Sequence, residues 1–162
     1  MSIHRIHRTL FVFSALVAGS SGCVKAAVIP GTHVVDTHQN RALIDVVEKY
    51  RHALEDRDAE TLLSMASPRY YEDSGTPKAE DDYGYEGLRH VLANKLKMVK
   101  SLRYEIEYRN IAVRGDEAEV EVFLDGSFEL AADYGDRYRR VNDYHHFVLA
   151  RENDQWKFVR GM

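Results

Sequence analysis

The sequence predicts an α+β fold in which helices precede an antiparallel sheet. Residues 102–162 alternate apolar and charged side chains between short turn signals, which is typical of half-buried strands. Residues 42–99 carry apolar side chains at the spacing of amphipathic helices. Because the predicted helices all come before the predicted strands, the order favours an α+β domain over repeated β–α–β units.

Three helices are predicted before the sheet. The first covers residues 42–55, and Asn40 can cap its beginning. The second is shorter, covers residues 59–66 and follows Asp58 as its cap. The third covers residues 86–99. Each helix places its apolar side chains on one face, so we expect all three to pack on the sheet.

Four strands in a row are predicted, at residues 102–108, 118–130, 137–150 and 155–159. The pair Asp125-Gly126 allows two interpretations. It can form a hairpin turn, or a bulge within one long and bent strand. The bulge is favoured, because the next clear turn signal comes only after residue 130.

The third predicted strand is apolar on both faces. Phe147 and Leu149 share one face with Asp143 and His145, and the opposite face holds other apolar side chains beside His146. A strand of this kind is usually covered on both sides. Helices can supply one cover and a second subunit the other, so the sequence predicts a homodimer.

The N-terminal residues predict export. Arg5 and Arg8 occur without any acid, an apolar run of residues 9–19 is too short to span a bilayer, and small residues follow at 20–22. This is the layout of a secretory signal. Its removal takes away two arginines and changes the net charge from −4 to −6.

Cys23 is the only cysteine of the chain. Its place directly after Ser-Gly resembles the lipobox of bacterial lipoproteins, although Ser20 stands where that motif usually has leucine. The resemblance implies that Cys23 is lipidated and becomes the N-terminus of a protein anchored in the cell envelope, periplasmic or on the outer surface. The alternative is cleavage near Ala26-Ala27, which discards Cys23. Residues 23–39 lack periodicity and are predicted to be a flexible tether.

Composition excludes some functions. The acidic net charge and the lack of a basic stripe disfavour nucleic-acid binding. The three adjacent acids at 80–82 lack the alternating spacing of a calcium loop, and His33 and His38 in the predicted tether make a poor metal site. We therefore predict neither a metal nor a cofactor.

Residues 40–162 resemble the nuclear transport factor 2-like superfamily, which includes SnoaL-like and ketosteroid isomerase-like domains. The resemblance rests on three stretches, at residues 50–63, 85–89 and 146–158. It implies a cone-shaped fold, with a strongly curved sheet around a long helix and a pocket at the open end. Members include isomerases, dehydratases, hydrolases, carriers and inert dimerisation modules, so the resemblance does not decide the activity.

The candidate catalytic residues are Asp143 and His145. They lie two apart on one strand and share a face, so a concave face would bring a carboxylate and an imidazole together as a tuned general base. The alternative is a pair on the surface or in a subunit interface. His146 points the opposite way, so at most one of the two histidines faces the pocket.

Tyrosines supply the remaining candidates. Tyr70, Tyr71 and Asp73 follow the second helix, and the resemblance implies tyrosines and carboxylates around the pocket. Tyr50 lies on the apolar face of the first helix, as a core residue or a lining residue. Tyrosine is also a common residue at the edge of a core, so a purely structural role stays open for each.

Two functions follow from the sequence. The first is a membrane-tethered module that binds a small apolar ligand or an envelope protein, since we find no catalytic motif such as Gly-x-Ser-x-Gly or His-Glu-x-x-His. The alternative is a small-molecule lyase or isomerase that uses Asp143 and His145.

Overall fold

The structure is a computed structural model that describes residues 26–73, 80–132 and 135–162. Within these residues, three helices precede a four-stranded antiparallel sheet whose strands lie side by side in sequence order, and two short strands between the second and third helices pair with each other. The predicted α+β fold is thus confirmed. None of the described helices is long and apolar enough to cross a membrane. The elements are α1 His38–Glu55, α2 Ala59–Met65, β1 Tyr71–Glu72, β2 Tyr83–Gly84, α3 Tyr85–Met98, β3 Val99–Arg114, β4 Glu117–Leu130, β5 Arg137–Glu152 and β6 Gln155–Arg160.

Side-chain caps set the beginnings of the first two helices. Asp58 caps α2 as predicted, and its side chain accepts a hydrogen bond from the backbone N–H of Thr61. The cap of α1 is Thr37, whose side chain accepts from the N–H of Asn40. The helix therefore begins four residues before the predicted start, because threonine is also a good cap.

The strand β4 is continuous to Leu130, so the prediction of one long strand is confirmed, but the predicted bulge at Asp125-Gly126 is wrong. Both residues pair in regular register with β5. The irregularities lie on β3, one of them between Tyr108 and Asn110. Gly126 serves packing, since a Cβ atom there would lie 2.9 Å from the ring of Tyr104.

The core lies between the helices and one face of the sheet. Tyr50 of α1 packs its ring against Phe147 of β5 and Phe158 of β6, with centroids 5.3 and 5.4 Å apart. Leu149 is fully buried on the same face. The opposite face of β5 is less covered: Ala150 is buried, but Tyr144 is 56% exposed. The helices thus cover one side of the sheet.

The predicted tether is wrong in its second half. Ile29 and Val34 are buried and belong to the core. Val28 and Val35 form a bridge, and the N–H of His33 donates to the carbonyl oxygen of Tyr108 on β3. The domain therefore begins well before residue 40, because two apolar side chains bury against it. The predicted signal and Cys23 lie outside the described residues.

Candidate functional site

A cavity of about 300 Å³ lies between the helices and the sheet. It lies at the boundary between the part of the sheet that the helices cover and the part that they leave exposed. Tyr104 of β3 lines it and is 8% exposed. Val141 of β5 lies in the same row across the sheet, with Gly126 of β4 between the two, and is 42% exposed. The lining is Tyr50, Leu54, Tyr83, Val91, Leu92, Lys95, Leu96, Tyr104, Phe128, His145, Gly161 and Met162.

Two buried phenols supply hydrogen-bond donors to this cavity. Tyr50 and Tyr104 are almost fully buried, and neither hydroxyl forms a hydrogen bond with any residue that the structure describes. Neither oxygen is a fully enclosed atom without a partner, so both are open to the cavity. Burial raises the pKa of both phenols, so they remain protonated at neutral pH.

His145 is the histidine that faces the cavity. Its Nε2 lies 2.7 Å from the carbonyl oxygen of Gly161. A carbonyl oxygen only accepts, so Nε2 carries the hydrogen and donates it. The ring also packs edge-on against Phe147, with centroids 4.7 Å apart. His146 points to the other face, where its Nδ1 lies 2.9 Å from Glu119 Oε1. The strand period makes the two histidines face opposite ways, and the structure places His145 on the face that the helices cover.

Three side chains hold the Gly161-Met162 segment beside the cavity: Glu72, Tyr70 and His145. Together with Gly161 we call them the Gly161 network. Glu72 Oε2 accepts from the N–H of Gly161 at 2.9 Å and from the Tyr70 hydroxyl at 3.1 Å. The N–H of Met162 in turn donates to the Tyr70 hydroxyl at 3.1 Å. The network connects β1 to β5 through the Gly161 peptide.

Only glycine fits at position 161. Its φ of +89° lies in the left-handed region, which side chains disfavour. A Cβ atom there would collide with the backbone oxygen of His146 and lie 3.2 Å from His145 Nε2. The missing side chain lets the chain pass close enough to β5 for the bond to His145.

The structure does not bring Asp143 and His145 together as an acid–base pair. Asp143 is exposed and lies outside the cavity lining. Its carboxylate accepts from the N–H of Tyr144 at 2.8 Å. Residues two apart on a strand are separated by roughly 6.6 Å, and Asp143 lies on the half of β5 that the helices leave uncovered. Asp143 and His145 share a face of β5, but only His145 lines the cavity.

The candidates after α2 separate by strand period. Tyr70 is 2% exposed, and its ring stacks behind Tyr83 at 6.3 Å. Tyr71 is 53% exposed, and its hydroxyl donates to Asp82 at 2.6 Å. Asp73 is also exposed. None of the three candidates is in the lining, and the inward carboxylate of this segment is Glu72, which sequence reasoning missed although it alternates with Tyr71.

Sequence reasoning also missed three polar residues of the lining. Tyr83 lies in a stretch that reads as an acidic loop, and no sequence signal marks it. Tyr104 was expected on the apolar face of its strand, and Lys95 lies on the apolar face of α3, but nothing in the pattern indicated a cavity there. Lys95 is exposed and forms no ion pair within the described residues. The described lining contains no aspartate or glutamate side chain.

Solved structures share this fold. A proposed dehydratase of the nuclear transport factor 2-like family from Streptomyces avermitilis aligns over 75% of this chain and 91% of its own, with a TM-score of 0.59 and 17% identity. The chain has the nuclear transport factor 2-like fold. A ketosteroid isomerase-like protein from Erwinia carotovora atroseptica aligns over 77% and 94%, with a TM-score of 0.60 and 18% identity.

A proposed aromatic ring hydroxylase from Novosphingobium aromaticivorans is also similar, over 74% of this chain and 83% of its own, with a TM-score of 0.61 and 23% identity. No protein-family model and no curated protein matches the sequence. The three similar structures carry three different activity names on one fold. The comparison therefore shows the fold, and the function has to be argued from the cavity.

Proposed function

We propose that this protein is an envelope-anchored binding protein whose cavity takes one small, mostly apolar ligand through a hydrogen-bond acceptor. One observation supports this best: two buried phenol hydroxyls, which have no hydrogen-bond partner among the residues that the structure describes, open into an otherwise largely apolar cavity. A buried donor without an acceptor costs about 1–3 kcal/mol. A ligand oxygen at Tyr50 or Tyr104 removes that cost, so the cavity favours a ligand that carries one.

The size of the cavity sets the size of the ligand. About 300 Å³ is at the small end of ligand pockets, which span about 300–1,000 Å³. Leu54, Leu92 and Phe128 contribute apolar walls, so burial of a hydrophobic body supplies most of the affinity, at about 25 cal/mol per Å². A compact bicyclic compound has suitable dimensions.

The ligand proposal is tested with two naphthalene derivatives of similar shape. Isothermal titration calorimetry compares 2-acetylnaphthalene, which has a carbonyl acceptor, with 2-ethylnaphthalene, which has none. Both should bind, and Tyr50→Phe or Tyr104→Phe should weaken the ketone about fivefold and leave the hydrocarbon unchanged. Tyr144→Phe, which alters an exposed phenol outside the cavity, is the control. If neither compound binds, the proposed compact bicyclic ligand is wrong.

An enzyme remains a second candidate function, a lyase or isomerase. The observation that favours it is the imidazole of His145 in the same cavity as two phenol donors. The general base would then be His145 without Asp143, since Asp143 lies outside the lining. Mass spectrometry of bound compounds over time separates the two functions. A binding protein returns its ligand unchanged, with or without His145→Ala. An enzyme converts the compound, and His145→Ala stops the conversion.

The anchor is proposed from the sequence of residues 1–23. Lipid on Cys23 would hold the domain at a bacterial membrane. The N–H of Asp36 already donates to the carbonyl oxygen of Ala27, so the free length between Cys23 and the domain is short. Four residues span at most about 14 Å. A lipidated protein would thus carry its domain directly against the membrane surface.

The anchor is tested by Cys23→Ala in a bacterial host, with Ser21→Ala as the matched control. Detergent phase partitioning should move the Cys23→Ala protein to the aqueous phase and leave the control in the detergent phase. Unchanged partitioning of Cys23→Ala contradicts lipidation.

A further inference from the structure

The side chains that line the cavity include one positive charge and no acidic group. Tyr50 and Tyr104 offer hydroxyl donors, and Lys95 offers an ammonium group, which has three donors and no acceptor. The Nε2–H of His145 already donates to Gly161. No aspartate or glutamate side chain is present in the described lining. The lining side chains therefore offer hydrogen-bond donors and a positive charge, and no acidic side chain of the described lining neutralises that charge.

Lys95 is not neutralised by its neighbours. Glu86 of the same helix pairs with Arg89. Glu55 of α1 is held by Arg51 through one oxygen and by the backbone N–H of Tyr104 through the other. These two acids are thus engaged elsewhere, and Lys95 forms no ion pair with any residue that the structure describes.

We infer that the ligand of this cavity is a monocarboxylate with an apolar body, which places its carboxylate at Lys95 and within reach of a phenol donor. This inference rests on the proposed binding function. A carboxylate has only acceptors when ionised and can receive several donors at once. It complements both the charge of Lys95 and the donor character of the phenols, whereas a neutral alcohol would complement only part of this set.

Helix α3 offers a matched control for the lysine. Lys95 and Lys97 both lie in its last turn, where a positive charge is favourable for any helix. Lys97 is exposed and does not line the cavity. A general effect of lost positive charge or of helix stability would therefore appear in both variants, and an effect on a ligand in the cavity would appear in one.

The experiment uses the full chain with Cys23→Ala, so that no acyl chain competes for the cavity. Calorimetry measures three pairs of an acid and its amide: benzoate with benzamide, 2-naphthoate with 2-naphthamide, and octanoate with octanamide. At least one acid should bind more tightly than its amide. Lys95→Gln should weaken that acid about three- to fivefold and leave the amide unchanged, and Lys97→Gln should change neither by more than about twofold.

The outcomes separate this inference from the proposed function. Equal affinity of each acid and its amide, or an equal loss in both lysine variants, overturns the carboxylate inference while a bound amide still supports the binding function. Failure of all six compounds and of 2-acetylnaphthalene overturns both. Weakening of the acid by added salt, with the amide unaffected, supports the ion pair, because screening acts on charges.

Discussion

Replacement of Gly161 by alanine should destabilise the protein and open the cavity. The new Cβ atom would collide with the backbone oxygen of His146, which belongs to the rigid ladder between β4 and β5. The strand cannot retreat without breaking that ladder, so the Gly161-Met162 segment has to move. Its movement breaks the hydrogen bonds from His145 and to Glu72.

The expected cost can be assembled from these parts. An alanine in the left-handed region costs about 1 kcal/mol. Each of the two hydrogen bonds contributes about 1 kcal/mol. The free energy of unfolding should therefore fall by about 3 kcal/mol for Gly161→Ala.

Gly115 provides the control that separates backbone strain from the collision. Its φ is +63°, and a Cβ atom there would have no neighbour within 4 Å. Gly115→Ala should therefore cost only the strain, about 1 kcal/mol. Urea unfolding followed by circular dichroism measures both variants, and the ring NMR signals of His145 should shift in Gly161→Ala alone.

A loss in Gly161→Ala that equals the loss in Gly115→Ala, with unchanged His145 signals, would refute this reasoning. It would mean that the segment beside the cavity contributes nothing to stability and that the Gly161 network is absent in solution.

Three further predictions concern the rest of the domain. Val34→Ala, at a side chain 2% exposed, should lower the free energy of unfolding by about 2 kcal/mol, and Val35→Ala, at 45% exposed, by less than about 0.5 kcal/mol, as measured by urea unfolding; equal small effects would restore the predicted tether. Burial raises the pKa of four phenols above the ordinary value of 10.0; they are those of Tyr50, Tyr70, Tyr104 and Tyr108. Because the unfolded chain then loses these protons first, the free energy of unfolding should fall as the pH rises above 10, and tyrosinate absorbance should show these phenols ionising only on unfolding; a titration in which every tyrosine ionises near pH 10 before unfolding would contradict it. The full chain with Cys23→Ala should sediment as a dimer through the outer face of the sheet, where Tyr144 is exposed, with roughly 1,600 Å² buried in total; a monomer at tens of micromolar would contradict it.

The local elements could be predicted because their causes are local. Alternation with period two placed Phe147, Leu149 and His145 on one face of β5, and Asp58 capped α2 as expected. The order of helices and strands then indicated the fold class. These features depend on neighbours a few residues away, which the sequence displays directly.

The errors arise where one segment meets another. The residues 26–37 have no periodicity, yet Ile29 and Val34 are buried in the core, because this segment is bonded to β3 through the N–H of His33 and the carbonyl oxygen of Tyr108. Gly126 resembles turn chemistry, yet it makes room for the ring of Tyr104 from the next strand. In both places the deciding partner is distant in sequence.

The candidate site divides in the same way. The sequence alone determined that Asp143 and His145 share a face and that His146 does not, since a strand alternates by geometry. Only the tertiary structure decided that the helices stop covering β5 between the two, which leaves His145 at the cavity and Asp143 in solvent. It also decided that Glu72, Tyr104 and Lys95 matter, because a cavity is the space that long-range packing leaves unfilled, and no local pattern records where that space will be.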